Sequence, residues 1–147
     1  MNTTQSLKQE KTITKSNFLK ELSAALLIIL FLYTAITKAL DFSNFSSVID
    51  QSYVLEGYGK YMAVLIPVLE IIIAICLFLP FMRRLGFLMS IFILVAFTCY
   101  ILYMLLTASK LPCHCGGVID RVTWKQHIFF NLFFLLISIY GFFRTTK

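Results

Sequence analysis

YMAVLIPVLEIIIAICLFLPFM, residues Tyr61–Met82, runs directly into Arg83-Arg84 and then into a second apolar stretch, Leu85–Thr107. A bilayer core of roughly 30 Å takes about 20 helical residues to cross, and both stretches reach that length. Lipid cannot hydrogen-bond to a backbone, so a spanning segment is either a helix or part of a closed barrel. Uninterrupted apolar runs of this length fit helices. Arg83, Arg84 and Gly86 leave room only for a tight turn, which makes the two helices antiparallel neighbours.

Two further runs, Leu22–Leu40 and Trp124–Phe143, complete the pattern. The expected fold is all-α, an integral membrane bundle of four transmembrane helices, with residues 18–147 as its single domain. Composition agrees. Of 147 residues 59% are hydrophobic and only 14% charged, with a mean hydropathy of +0.85, whereas globular proteins carry about 25% charged residues. The net charge of +6 does not indicate nucleic acid, because the basic residues flank apolar runs and build no basic face. The expected partner of the outer surface is the lipid bilayer.

Lysine and arginine set the orientation, since they concentrate in cytoplasmic segments. Eight lie on one side, from Lys8, Lys11, Lys15 and Lys20 through Arg83 and Arg84 to Arg144 and Lys147. Five lie on the other, mixed with four acids, leaving +6 against +1. Both termini are therefore expected in the cytoplasm and the loop after the third helix outside it, in a bacterium the periplasm. Residues 1–17, polar and without periodicity, read as a short flexible cytoplasmic tail. The run that follows lacks a small-residue cleavage site and leads into three more spans, so it reads as a retained helix rather than a signal peptide.

Polar groups inside the spans are the next clue. Thr34, Thr37, Lys38 and Asp41 share one face at the outer end of the first helix. They read either as a snorkelling lysine beside an interfacial acid or as a polar wall beneath the outer loops. Residues 42–60 carry Phe42, Phe45 and Val48 at near-helical intervals, as in an amphipathic segment lying on the membrane or capping the bundle. In the second helix Glu70 falls close to mid-membrane, where an ionisable group is costly and marks a functional site or a carboxyl bonded to a neighbouring helix. Pro67 frees a backbone carbonyl one turn earlier. Tyr100, Tyr103 and Thr107 read as interfacial anchors at the outer end of the third helix.

The four cysteines fall into two classes. Cys76 and Cys99 lie at depths differing by about 10 Å, beyond the ~7 Å Cα separation of a bridged pair, and read as inert packing residues. Cys113 and Cys115 instead lie in Pro112-Cys113-His114-Cys115-Gly116-Gly117, a loop on the oxidising side. Residues two apart are within about 7 Å at Cα, so a turn can bring these thiols to bonding distance. Gly116 and Gly117 permit positive φ on the exit. A ring closed over one residue is strained, and strained exposed disulfides are the reducible kind. His114 would supply a positive charge that favours thiolate.

Thr123-Trp124-Lys125-Gln126 matches a capping box, with Thr123 as N-cap of the fourth helix. His127, Asn131 and Ser138 then share one face of that helix. They serve either interhelical hydrogen bonding or a polar track from the loop towards the midplane, where Glu70 and Cys99 lie. Three readings of the thiols stay open: dithiol redox chemistry, a structural disulfide, or a Zn²⁺ or Cu(I) site formed by Cys113, His114, Cys115 and His127. The C-x-C spacing is tighter than that of structural zinc sites, so no metal ligand is assigned.

Taken together, four helices, Lys38, Pro67-Val68-Leu69-Glu70, the Pro112–Gly117 stretch, Thr123–His127 and Asn131 resemble the MauE branch of the DoxX-like membrane proteins. The likeness covers roughly residues 18–143. It implies a role beside a thioredoxin-like periplasmic partner, since MauE-type proteins are linked to maturation of the disulfide-rich small subunit of methylamine dehydrogenase. Gly116 stands where the family often has Phe. Membrane oxidants of the DsbB and vitamin K epoxide reductase kinds relay electrons through two cysteine pairs to a quinone. One such pair is visible here, which argues against a complete quinone relay.

The sequence thus leads to an inner-membrane protein of periplasmic thiol–disulfide transfer. Cys113, Cys115, His114 and His127 would carry the chemistry, and Glu70, Asn131, Lys38 and Thr123 would support it. The alternative is a non-catalytic subunit that anchors a redox or transport complex and uses the loop as a docking surface.

Overall fold

The computed structural model describes residues 3–50, 55–107 and 124–145. All five elements in them are helices: α1 (Thr3–Leu40), α2 (Phe42–Asp50), α3 (Gly59–Phe78), α4 (Arg83–Thr107) and α5 (Trp124–Thr145). Four are long and apolar enough to cross a membrane, over Phe18–Leu40, Gly59–Phe78, Arg83–Tyr103 and Gln126–Thr145. Only 22% to 39% of each span is buried within the protein. The rest is apolar surface, including Ile29, Phe92, Phe129 and Leu136. In water such a surface would drive aggregation; in lipid it is solvated. The protein is a multi-pass membrane protein.

Boundaries differ from the sequence reading in three places, the first being that Arg83, Arg84 and Gly86, expected as the turn, lie inside α4 and the turn is Leu79–Met82. α1 starts at Thr3, so most of the segment read as a tail has helical backbone. α3 ends at Phe78 rather than running to Met82. Proline disfavours helical geometry in the residue before it, and Leu79, ahead of Pro80, is extended at φ −78°, ψ 118°. Arg83 secures the exit by donating from Nε to the Leu77 carbonyl at 3.1 Å, one of the acceptors a helix end leaves open. It also pairs with Glu21 of α1.

The long helices close a ring in which α1 lies against α3 and α5, and α4 also lies against α3 and α5. α3 and α5 face each other across the diagonal without backbone contact. The centre is filled by residues such as Leu27, Phe31, Ile73, Leu77 and Phe87. One close approach depends on glycine. The Phe87 ring lies where a Cβ on Gly141 would be, 2.2 Å from its nearest atom, so α4 and α5 can pack this tightly only with hydrogen at that position.

The amphipathic segment expected after the first span is α2. It buries Ser46, Val48 and Ile49 against the start of α3. Asp50 accepts a hydrogen bond from the Gly59 N–H at 2.7 Å. A carboxylate there suits both the unpaired donors and the positive end of the α3 dipole. α2 therefore caps the bundle end at which α3 and α5 begin and α4 finishes, hereafter the loop end.

Candidate functional site

Lys38 and Glu70 come together because of how side chains lean. A Cα–Cβ bond tilts towards its helix's N-terminus. α1 runs towards the loop end, so Lys38, near that end, leans down into the bundle. α3 runs the opposite way, so Glu70, about 17 Å in from Gly59 at about 1.5 Å per residue, leans up. The ammonium and the carboxylate Oε1 meet as an ion pair. Lys38 is not snorkelling beside an interfacial acid: its side chain is 19% exposed and that of Glu70 only 1%.

The surroundings of the ammonium draw on α2 and α4 as well. Phe97 of α4 presents its ring 4.5 Å from Nζ, and Phe45 of α2 presents its ring at 5.6 Å. Cation–π attraction of this kind is strongest where water is excluded. Thr34, one turn below Lys38, lies beside the carboxylate while its hydroxyl donates to the Leu30 carbonyl at 3.0 Å. His127, at the start of the α5 span and so at the loop end, is partly buried. Sequence reasoning marked Lys38 and Glu70 separately; it missed their pairing and the two aromatic rings.

α5 adds Asn131 and Ser138, both buried on the face that starts with His127. Among the described residues, Glu70 Oε2, Asn131 Nδ2 and Ser138 Oγ are buried without a hydrogen-bond partner. Buried polar atoms are normally satisfied, so these three are unusual.

Other expectations resolve differently. Cys76 is buried, as a packing residue would be, whereas Cys99 is exposed on the outside of α4, and the two are unbridged. The Tyr100 hydroxyl is buried within the bundle. Cys113, His114, Cys115 and Thr123, the expected N-cap of the fourth helix, lie outside the described residues. The segment carrying the two cysteines joins the ends of α4 and α5, both at the loop end.

No curated protein and no solved structure matches the chain. A family model described as methylamine utilisation protein MauE matches residues 16–144. That range takes in all four spans, the Lys38–Glu70 pair and the Cys113–Cys115 stretch. A four-span bundle with a buried charge pair beneath its cysteine-bearing end, matched over almost its whole length, belongs to the MauE family.

Proposed function

We propose that this chain is a DoxX-like protein of the bacterial inner membrane, with both termini cytoplasmic, that takes part in periplasmic thiol–disulfide transfer through Cys113 and Cys115. The observation that carries the reading is the position of the charge cluster. Lys38, near the bundle end to which the cysteine segment is anchored, reaches down to pair with Glu70, and His127 lies at that same end. Cys113 is six residues beyond Thr107 and Cys115 nine before Trp124. At about 3.6 Å per residue these tethers reach no more than about 22 Å and 32 Å, so the thiols stay near that end.

In the transfer step a thiolate of a thioredoxin-like partner attacks the Cys113–Cys115 disulfide and forms a mixed disulfide. The partner's second thiolate then displaces the loop. The partner dithiol loses two electrons and two protons to become a disulfide, and the loop gains both. His114 favours the leaving thiolate, and His127 moves protons at the base of the segment. Thr123 caps the start of α5, and Asn131 supports the site one turn below His127. The step itself needs no cofactor; a quinone would enter only as the acceptor that reoxidises the loop.

The test is oxidation of the partner's dithiol in membranes carrying Cys113→Ser, Cys115→Ser. Loss of oxidation is expected. Unchanged oxidation would overturn the reading and leave a non-catalytic membrane subunit. Tightly bound metal in purified wild-type protein, lost in His127→Ala, would replace it with a metal site.

A further inference from the structure

Serine and threonine inside a helix usually spend their hydroxyl on the carbonyl one turn back. Here Ser23 donates to Leu19 at 2.8 Å, Ser90 to Gly86 at 2.8 Å and Thr98 to Leu94 at 2.7 Å. Ser138 does not. Its hydroxyl is fully buried and unpartnered, although the Phe134 carbonyl stands one turn back. Asn131, 7% exposed, leaves its amide nitrogen unpartnered on the same face, seven residues nearer the loop end. Glu70 leaves Oε2 unpartnered.

Depth orders these atoms. The span of α5 begins at Gln126 and that of α3 at Gly59. With a helical rise of about 1.5 Å per residue, Asn131 lies about 8 Å in from Gln126 and Ser138 about 18 Å in. By the same rise Glu70 lies about 17 Å in from Gly59. Counted from the starts of their spans, Glu70 and Ser138 lie at similar depths, on diagonally opposite helices. The donors and the acceptor thus descend from His127 at the mouth to mid-membrane. Leaving each one dry inside an apolar bundle is costly. A water site needs only about 10–15 Å³ of probe volume and two or more polar partners.

We propose that internal waters follow the His127–Asn131–Ser138 stripe of α5 and connect the loop end to Glu70, which is the proton-binding group at the inner end. A proton from bulk water adds to Oε2 and leaves by the same route; Lys38 keeps its own proton and no electron moves. The described titratable groups around this half of the bundle, besides Glu70, are Tyr33 and Lys38 on α1, Asp41 between α1 and α2, Asp50 on α2, Glu56 and Tyr58 ahead of α3, Lys60 and Tyr61 on α3, Cys99, Tyr100 and Tyr103 on α4, and His127 on α5. Asp50 is engaged with Gly59, and Lys38 is the ion partner of Glu70.

The experiment is infrared spectroscopy after a bulk pH jump on the full chain in lipid nanodiscs. It is run in the Cys113→Ser, Cys115→Ser background, so the result does not depend on thiol chemistry. A carboxyl band that responds to the jump and is absent in Glu70→Gln is expected. Asn131→Leu and Ser138→Ala should slow that response roughly tenfold, about 1.4 kcal/mol on the barrier, with thermal unfolding unchanged in Ser138→Ala. A Glu70 band that ignores bulk pH would overturn the proposal. So would a response that keeps its wild-type rate in both α5 variants.

Discussion

The Lys38 ammonium and the Glu70 carboxylate pair inside the bundle, joining α1 to α3 across 32 positions of sequence. Two charges withdrawn from water lose hydration, and their mutual attraction in a low-dielectric interior offsets that loss only when both are present. Removing one partner strands the other.

Glu70→Leu alone, or Lys38→Met alone, should therefore destabilise the bundle by about 3–5 kcal/mol. The double variant Lys38→Met, Glu70→Leu should recover most of that loss. Thermal unfolding in detergent checks this, and equal additive losses would show that the charges do not depend on each other.

Gly59 is where α2 docks on α3. A Cβ there would lie 2.4 Å from the Ser46 carbonyl oxygen and 2.4 Å from the Asp50 carboxyl carbon. Overpacking of this kind costs about 1–3 kcal/mol. Gly59→Ala should loosen α2 first, seen as faster amide exchange in Phe42–Asp50 with the long helices unchanged.

Arg83 makes two contacts of unequal weight. Its partner Glu21 is 57% exposed, and exposed ion pairs contribute about 0–1 kcal/mol. Its bond to Leu77 satisfies a helix-end carbonyl. Glu21→Gln should leave unfolding nearly unchanged, and Arg83→Ala should lower stability more than Glu21→Gln does.

Much of this architecture is written in apolar run length. The four spans, a tight connection between α3 and α4 and the amphipathic α2 follow from hydrophobicity and spacing alone, although the turn falls at Leu79–Met82 and not at Arg83-Arg84. The early end of α3 was also encoded, in the effect of Pro80 on Leu79. Pairing of Lys38 with Glu70 was not, because it depends on which helices become neighbours and which way each points. The sequence holds half of that signal: antiparallel helices lean their side chains towards opposite ends, so a lysine near the loop end and a glutamate below it are aimed at one another. Phe97 looked like any lipid-facing aromatic, since only the ring of helices turns it onto the ammonium. Cys99 shows the converse, an apolar residue that hydropathy cannot assign to core or lipid.

The central claim, that Cys113 and Cys115 form a labile disulfide on the periplasmic side, is tested most directly by thiol trapping in intact cells. A membrane-impermeant maleimide is applied with and without prior mild reductant to protein in which Cys76 and Cys99 are replaced by serine. Labelling at Cys113 and Cys115 only after reduction is the predicted result. Labelling without reductant, or no labelling under either condition, would contradict it.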